Sequence, residues 1–223
     1  MHGQNPKVAA IVPAYNEEKT IRPILETLKA SSYIDEVILI SDGSTDNTKR
    51  VGEEVGVSIA HQLPLHSGKG KAMQHGVTHT DAPILFFFDA DLLDLSEEHI
   101  KKVLLPVLEG KKVMNVAIRD RGPLAMKLAA HMPLIGGERA MLRHVFEDIP
   151  ERLKQGFMVE GALNYYCRSN KLAYGSVPCP GLKIRRKMQK VGVVRGFWQY
   201  VKMFYQVIKA IIVVRVARIR GEF

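Results

Sequence analysis

Two aspartates separated by one residue follow a very apolar stretch of the sequence. Asp89 and Asp91 flank Ala90, directly after residues 83–88, which we predict to form a buried strand. Alternation along a strand would place both carboxylates on one face, where they repel each other unless a cation lies between them. Oxygen ligands suit Mg²⁺ or Mn²⁺, and a diphosphate would complete the coordination shell. The pair therefore predicts a divalent metal site. The alternative is two acids that end a strand in solvent.

A second polar cluster, residues 42–46, follows another apolar segment. Asp42 can accept hydrogen bonds from a base or a ribose, and Gly43 permits a tight turn and a close approach of the backbone. Ser44 or Thr45 then suits the N-cap of a helix. The cluster fits a nucleoside-binding loop, and it also fits a strand–turn–helix with good caps.

A glycine-flanked basic turn, residues 67–71, precedes a predicted helix. Its backbone amides and the side chain of Lys69 can hold phosphate oxygens. It is not a Walker A loop, because Ala72 stands where Ser or Thr would follow. Lys71 is interpreted as a solvated helix residue.

Two glutamates further along the chain are candidates for acid–base chemistry. Glu138 follows Gly136 and Gly137 at the start of a predicted helix, and Glu160 lies in the apolar stretch 157–161. We expect a carboxyl group in such surroundings to have a raised pKa and to act as a general base or bind sugar hydroxyls. The alternative is a carboxylate stabilised by the dipole of a helix N-terminus.

The elements that position these residues follow from the apolar pattern. Strands are predicted at residues 8–12, 36–41, 57–61, 83–88, 112–118 and 172–177. Helices are predicted from Asn16, over 44–55, 70–79, 138–146 and 159–168, and within 197–220. This alternation implies an α/β fold, with a mostly parallel sheet and helices on both faces. Ligands bind beyond the carboxyl ends of such strands, which is where the polar clusters lie.

The charge of the chain is unevenly distributed. The net charge is +9, yet residues 1–182 carry 21 basic and 22 acidic side chains, whereas residues 183–223 carry 11 basic side chains and one acid, Glu222. A basic tail on a neutral body indicates a local contact with a phospholipid surface or a phosphorylated acceptor. A globally basic protein would indicate nucleic acid, and we predict no nucleic-acid partner.

The segment 183–223 has an amphipathic pattern. Phe197, Val201, Phe204 and Ile208 recur at helical spacing, and basic residues lie elsewhere on the helical wheel. We predict amphipathic helices that lie on an anionic membrane, with packing on the sheet or homodimerisation as the alternatives. The N-terminus has no apolar signal region, and no stretch reaches the ~18 uninterrupted apolar residues of a membrane span. We therefore expect a cytoplasmic protein that is peripheral on the cytoplasmic face of the membrane.

Cysteine and histidine show no spacing typical of a metal site. Cys167 and Cys179 form no CxxC pair and are interpreted as reduced thiols. The eight histidines show no HExxH or similar pattern and are interpreted as mostly surface residues.

Four motifs, in order, resemble those of family 2 glycosyltransferases. Residues 12–18 (VPAYNEE) look like the opening motif, and residues 42–48 (DGSTDNT) resemble the second motif at the expected distance. Gly68-Lys69-Gly70 and Asp89-Ala90-Asp91 follow in the right order. Segments 136–140 and 156–162 are also similar to this family and to the related glucosyl-phosphoglycerate synthases, and there is some likeness to polyprenyl-phosphate glycosyltransferases.

The resemblance implies a GT-A fold and a metal-dependent transfer of sugar from a UDP- or GDP-sugar, with Mg²⁺ or Mn²⁺ as the cofactor. It assigns contacts with the nucleotide sugar to Pro13, Ala14, Tyr15, Asn16, Glu17, Asp42, Gly43, Ser44, Lys69, Asp89, Ala90 and Asp91. It further implies that Asp89 and Asp91 bind the metal, and that Glu138, Glu160 and Asp91 are the catalytic candidates. Related enzymes often carry a histidine metal ligand after the last strand, and residues 181–185 contain none.

We accordingly divide the chain into a GT-A catalytic domain, residues 1–182, and the basic segment 183–223. The nucleotide-sugar-binding half would be 8–91 and the acceptor half 92–182, with a lipid phosphate or another membrane-associated molecule as the acceptor. A sugar-phosphate nucleotidyltransferase is a second hypothesis, although it would usually carry a basic glycine-rich loop where residues 13–18 are acidic. A third is an inactive nucleotide-sugar-binding membrane scaffold.

Overall fold

The computed structural model of the protein describes residues 6–120, 136–156 and 158–185, together with Val213 and Val216. The strands are β1 (Val8–Ala14), β2 (Glu36–Ser41), β3 (Ile59–Gln62), β4 (Ile84–Phe87), β5 (Leu92–Leu93), β6 (Met114–Arg119), β7 (Arg139–Leu142), β8 (Tyr174–Cys179) and β9 (Lys183–Ile184). The helices are α1 (Ile21–Ala30), α2 (Thr48–Val55), α3 (Lys69–Val77), α4 (Glu97–Leu108), α5 (Arg143–Glu147) and α6 (Met158–Ser169), with a 3₁₀ turn at Glu151–Leu153.

Seven strands form one sheet in the order β3-β2-β1-β4-β7-β6-β8. All neighbouring pairs are parallel except those of β7, which is antiparallel to both β4 and β6. The chain runs outward from β1 to β3 and then returns through α3 to β4, on the other side of β1. In sheets of this kind, ligands bind beyond the carboxyl ends of the two strands where the order reverses, which here are β1 and β4. The predicted α/β class with a mostly parallel sheet is confirmed.

Both faces of the sheet are covered, because successive residues of a strand point to opposite sides. Along β1, Ala10 and Val12 belong to a core cluster that includes residues of α1 and α4, whereas Ala9 and Ile11 belong to a second cluster that includes residues of α3 and α6. The predicted apolar face of α1 is buried as expected, and it consists of Ile21, Ile24, Leu25 and Leu28. Burial contributes about 1.5–3 kcal/mol for each such large side chain.

The first predicted helix begins later than expected. Asn16 adopts a left-handed backbone conformation, with φ 54°, and α1 begins at Ile21. The side-chain oxygen of Asn16 accepts a hydrogen bond from the amide of Thr45 at 2.8 Å, so this residue joins two loops instead of capping a helix. Asparagine tolerates the left-handed region because its short polar side chain finds local hydrogen bonds.

The helix predicted over residues 138–146 is wrong in its first part. Glu138 precedes a strand, β7, in which Arg139 pairs with Phe87 of β4 and with Val116 of β6. The helical pattern is satisfied only by the short helix α5 that follows. Pairing with strands on both sides decided the outcome, because a short segment takes its conformation from its neighbours more than from its own propensity.

A small second sheet joins β5 to β9. The first residues of the basic segment 183–223 therefore lie beside the chain that follows Asp91, and the amide of Arg185 donates a hydrogen bond to the carbonyl of Asp91 at 3.0 Å. Beyond Arg185, the predicted amphipathic helices lie outside the described residues, apart from Val213 and Val216. These two are helical, and Val213 packs against the second core cluster.

Two further features concern the helices and the cysteines of the described residues. None of the helices in the described part of the chain is long and apolar enough to cross a membrane. Cys167 and Cys179 are free and buried, in agreement with their interpretation as reduced thiols.

Candidate functional site

Polar side chains from several strands meet at one edge of the main sheet. This edge holds the carboxyl ends of β1, β2, β4 and β6 and, because β7 is antiparallel, the start of β7. The groups brought there are Tyr15–Glu17 after β1, Asp42–Ser44 after β2, Asp89 after β4, Arg119 at the end of β6 and Glu138 before β7. The predicted convergence of three polar clusters at the carboxyl edge is confirmed.

The loops after β1 and β2 are joined into a single unit by hydrogen bonds. The amide of Asn16 donates to Ser44 Oγ at 3.0 Å, and the amide of Glu17 donates to Thr48 Oγ1 at 2.9 Å. Asn16 in turn accepts from the amide of Thr45. These contacts hold the two motifs in register, so that a ligand bound against one loop also meets the other.

Asp42 is buried and holds the turn that leads into α3. Its two carboxylate oxygens accept hydrogen bonds from the amides of Ser67 and Gly68, both at 2.8 Å. Gly43 makes this approach feasible, since it has φ +69° and a Cβ there would stand 2.3 Å from the amide nitrogen of His66. The predicted contact of Asp42 with a base or ribose stays a prediction, and in this structure its carboxylate shapes the loop that carries Lys69.

Tyr15 is the most accessible aromatic side chain of the predicted nucleoside region. It is 44% exposed, and its ring lies 4.1 Å from the ring of His66, centroid to centroid, at 32°. Pro13 and Ala14 are buried in β1, where the carbonyl of Ala14 accepts a hydrogen bond from the amide of Asp42 at 2.8 Å. A flat group stacked beside Tyr15 would therefore lie over the ends of β1 and β2.

Lys69, the first residue of α3, bridges two carboxylates. Its Nζ lies 2.6 Å from Asp89 Oδ1 and 2.8 Å from Glu160 Oε1. Arg119 extends the cluster, with Nη2 3.3 Å from Asp89 Oδ2 and Nε 3.0 Å from Glu138 Oε2. Cations and anions alternate, which keeps a group of buried charges compatible with a folded protein.

Burial and ion pairing act against each other in this cluster. Burial alone would raise the pKa of Asp89, but Lys69 and Arg119 outweigh it and lower this pKa to about 2. Burial alone would lower the pKa of Lys69, and the charges of Asp89 and Glu160 raise it instead. Asp89 and Lys69 are therefore both charged at neutral pH.

At Glu138, burial outweighs ion pairing and the pKa is raised. Its side chain is 1% exposed, and burial raises its pKa to about 7, although Arg119 pulls it down. Arg119 lies within ion-pair distance, yet neither oxygen of Glu138 accepts a well-aligned hydrogen bond from the described residues. The expected rise in pKa is therefore found at Glu138.

For Glu160 the expectation of a raised pKa is wrong. Burial would raise it, but Lys69 and Arg139 outweigh burial and lower the pKa of this carboxyl group. The predicted apolar surroundings contain two cations that come from α3 and β7, distant parts of the chain. Glu160 thus serves in this structure as an ionised partner of Lys69.

The argument that alternation aligns Asp89 with Asp91 does not hold. β4 ends at Phe87, and Ala90 and Asp91 form a turn before β5. Asp89 points into the charged cluster, whereas Asp91 is half-buried and stands near enough to raise the pKa of Arg119, together with other acids. A turn that leaves the sheet, and not alternation along a strand, therefore decides where Asp91 lies relative to Asp89.

Two arginines of the site were not predicted as site residues. Arg119 contacts Asp89 and Glu138. It directly follows the predicted strand 112–118, and a charged residue after an apolar run could have indicated a site residue. Arg139 is fully buried and donates from Nη2 to the carbonyl of Gly136 at 2.6 Å, while Nη2 lies 3.9 Å from Glu160 Oε2. A lone arginine in a short strand gives no such signal.

The residues present fit a hard divalent cation at the edge of this cluster. Asp89 is ionised with a side chain that is 20% exposed, and Asp91 is half-buried, so both offer carboxylate oxygens near the surface. Lys69 and Arg119 already balance the charge of Asp89. An ion held there therefore depends on further anionic oxygens, such as those of a diphosphate, for much of its binding energy.

The same fold is present in solved structures. Glucosyl-3-phosphoglycerate synthase from Mycobacterium tuberculosis, crystallised with Mn²⁺, uridine diphosphate and glucosyl-3-phosphoglycerate, superposes with a TM-score of 0.69. The two chains are 24% identical, and the match covers 84% of this chain and 75% of that one. The predicted GT-A fold is confirmed by this likeness.

Relatives in sequence align with about half of the chain. Glucosyl-3-phosphoglycerate synthase from Mycolicibacterium smegmatis is 31% identical over 125 residues, which are 52% of this chain and 41% of that protein. Undecaprenyl-phosphate 4-deoxy-4-formamido-L-arabinose transferase from Proteus mirabilis is 32% identical over 124 residues, 52% of this chain and 38% of that protein. The chain thus spans about two fifths of the length of these relatives.

The sequence model of glycosyl transferase family 2 matches residues 9–172. This range runs from β1 to the residues before β8, and it contains every loop that contributes to the polar edge of the sheet. The predicted family is confirmed: the chain belongs to glycosyl transferase family 2.

Proposed function

We propose that this chain transfers a sugar from a nucleoside diphosphate sugar to a phosphorylated acceptor. The observation that carries the proposal is the charged cluster of Lys69, Asp89 and Glu160, at the carboxyl edge of the sheet and beside the joined loops after β1 and β2. A nucleoside can lie against the loops while its diphosphate reaches the cluster, which is the arrangement that sugar transfer requires.

The donor would contact four segments, which lie at the ends of β1, β2 and β4 and at the start of α3. Those proposed for the nucleoside are Pro13, Ala14, Tyr15, Asn16, Glu17, Asp42, Gly43 and Ser44, and those proposed for the diphosphate and metal are Lys69, Asp89, Ala90 and Asp91. The exposed ring of Tyr15 supports a stacked base. The similar synthase from M. tuberculosis was crystallised with uridine diphosphate glucose and Mn²⁺, which supports a uridine nucleotide as the first donor to test.

Asp89 and Asp91 would hold the divalent cation, Mg²⁺ or Mn²⁺. When bound, the ion supplies positive charge against the negative charge that builds on the departing nucleoside diphosphate. The chain's own part is to keep Asp89 ionised through Lys69 and Arg119, and to hold its carboxylate in one orientation.

Glu138, Glu160 and Asp91 are the candidates for contact with the sugar and the acceptor. Glu160 is tied to Lys69 and Arg139, so we assign it to the positioning of Lys69. Glu138 and Asp91 both lie near Arg119 and keep the role of acid–base candidates.

A lipid phosphate is the acceptor that we favour. The transferase from P. mirabilis is named for undecaprenyl phosphate, and the basic segment 183–223, with a charge of +10, would attract an anionic membrane. β9 places the start of that segment beside Asp91.

We propose that residues 1–182 are the catalytic domain, with 8–91 for the donor and 92–182 for the acceptor, on the cytoplasmic face of the membrane. The packing of Val213 on the core supports one alternative, a helix held on the domain. Homodimerisation through this segment is the other alternative.

Donor binding tests the proposal directly. The thermal shift produced by UDP-, GDP- and dTDP-sugars is measured with and without Mn²⁺, followed by calorimetry with the best donor. We expect metal and nucleotide sugar to strengthen each other's binding, and Asp91→Asn to weaken the metal-dependent part at least about tenfold. Asp94→Asn changes an exposed carboxylate three residues away and is the matched control. Equal binding by both variants would reject the metal assignment.

Transfer assays separate the remaining alternatives. Labelled sugar is followed into polyprenyl phosphate in anionic vesicles and into soluble phosphoglycerate. Transfer to the lipid alone supports the favoured acceptor, and transfer to phosphoglycerate alone excludes it. Pyrophosphate released from a nucleoside triphosphate and a sugar phosphate would identify a nucleotidyltransferase. Donor binding without transfer or hydrolysis would identify an inactive binding protein.

A further inference from the structure

Three histidines that the proposed donor site does not use lie together beside the edge strand of the sheet. His61 is in β3, His75 is in the last turn of α3, and His79 follows the end of that helix. One ring nitrogen from each lies within 4.8 Å of the others, and all three residues are half-buried. The interpretation that no histidines have the spacing of a metal site is therefore wrong for these three.

The fold brings the three rings together for identifiable reasons. His75 and His79 are four residues apart, so they lie on the same side of a helical turn. Gly76 lets this end of α3 approach the sheet closely, because a Cβ there would stand 2.4 Å from Ile11 Cγ2. His61 shares a face of β3 with Ile59, which packs against the core cluster that contains α3 residues. The strand thus points His61 at the end of the helix.

Two of the three rings already have the spacing of ligands to one ion. His75 Nε2 and His79 Nε2 are 3.2 Å apart. Two nitrogens that each lie about 2.05 Å from a tetrahedral ion are about 3.3 Å apart, so this pair already has the spacing of two ligands of one metal. The ring of His61 lies 4.5 Å from that of His75 and 5.2 Å from that of His79, centroid to centroid.

Imidazole binds a metal ion in its neutral form, and burial favours that form of His75. Burial lowers the pKa of His75, and the charges that His61 and His79 would carry lower it further. In the absence of an ion, a hydrogen bond between His75 and His79 would account for the short nitrogen distance, with one ring as the donor and the other as the acceptor. A metal site and a hydrogen-bonded histidine pair therefore differ in whether the chain binds Zn²⁺ through these rings, which can be measured.

We propose that His61, His75 and His79 form a second metal site, which takes a borderline divalent transition-metal ion such as Zn²⁺ through three imidazole nitrogens. Nitrogen ligands select this class of ion over Mg²⁺, which prefers the oxygen donors at the carboxylate site. The fourth position of a tetrahedral ion is open to water. The ion joins β3 to the end of α3, the helix whose first residue is Lys69.

Zn²⁺ binding to the untagged chain tests the proposal, and it is independent of the donor and of transfer activity. Protein stripped of metal is titrated with Zn²⁺ in the presence of a chromophoric chelator, with excess Mg²⁺ to occupy the carboxylate site. We expect one tight ion per chain. His75→Gln should weaken binding at least about 100-fold, because loss of a residue that only hydrogen-bonds to a metal ligand already costs about 10- to 100-fold. His144→Gln removes an exposed histidine outside the cluster and should leave binding unchanged.

Two further measurements keep the proposal testable if His75→Gln folds poorly. His79→Gln changes a residue beyond the end of α3 and should lose Zn²⁺ affinity and the Zn²⁺-dependent rise in Tm while keeping the Tm of the metal-free protein. In the wild-type chain, Zn²⁺ should shift the ring ¹⁵N resonances of these three histidines together. Unchanged ¹⁵N resonances, or Zn²⁺ binding that survives in both variants, would overturn the proposal in favour of a hydrogen-bonded histidine pair.

Discussion

Gly137 lies directly against the carboxylate of Asp89, and a Cβ at position 137 would stand 2.2 Å from both of its oxygens. Non-bonded carbon and oxygen atoms do not approach this closely, so any residue other than glycine at position 137 must displace the side chain of Asp89. The same carboxylate is held by Lys69 and Arg119. The geometry of the proposed metal site therefore depends on the absence of a side chain at position 137.

Gly137→Ala should impair donor binding more than stability. We expect the metal-dependent affinity for the nucleotide sugar to fall by about 10- to 100-fold, since a misplacement of about 1 Å can cost that much at a functional site. Calorimetry with the donor and Mn²⁺ measures the change. Gly175→Ala is the control, because its new Cβ would meet the flexible end of Lys112 at 2.9 Å. Equal affinities in the two variants would contradict the role of the Gly137 contact.

Lys69→Met should destabilise the fold, because it leaves Asp89 and Glu160 without their shared cation. Breaking a buried ion pair from one side costs about 3 kcal/mol, and that is the loss we expect in the free energy of unfolding. Urea denaturation measures it against Lys71→Met, which changes an exposed lysine of the same helix and should stay within about 0.5 kcal/mol of the wild type. In the double variant Lys69→Met/Glu160→Gln, removal of the Glu160 charge should restore part of the loss, because this buried carboxylate has then lost its shorter ion pair. If Lys69→Met and Lys71→Met have similar stabilities, the ion pairs of Lys69 contribute little to the stability of the fold.

The pH dependence of stability should report on Glu138. Its pKa in the folded protein, about 7, lies above the ordinary value of 4.5, so the folded state favours the protonated form. The associated stability is fully present below about pH 4.5 and is lost as the pH rises to about 7. Wild type should therefore lose up to about 3 kcal/mol relative to Glu138→Gln across that window.

Urea denaturation of both proteins at about pH 5 and about pH 8 measures this difference. Other titrating groups contribute similarly to both proteins, so the comparison isolates position 138. A difference in stability that is the same at both pH values would mean that Glu138 is ionised throughout, with Arg119 dominating over burial.

Much of the fold is encoded locally and could be predicted from the sequence. The limits of β2 agree with the predicted residues 36–41, and α6 lies within one residue of the predicted 159–168 at both ends. The buried face of α1 was also predicted. Apolar periodicity is a local property of the chain, and it survives folding because the sheet and the helices bury the same residues that the pattern marks.

Other features depended on partners that are distant in the sequence. Residues 139–142 form a strand because β4 and β6 offer hydrogen bonds on both sides, although their own pattern favoured a helix. His75 and His79 are four residues apart in the sequence, but His61 comes from a strand on the far side of a loop, and only the fold brings it to them.

The sequence by itself determined the family, the order of strands and helices from β1 to β4, and the polar clusters that follow β1, β2 and β4. The tertiary structure alone decided which acid has a raised pKa and which has a lowered one. Glu138 and Glu160 were indistinguishable in the sequence, yet burial raises the pKa of the first and Lys69 and Arg139 lower that of the second. A pKa depends on charges and solvent within a few ångströms, and the fold brings those neighbours from segments as far apart as residues 69 and 160.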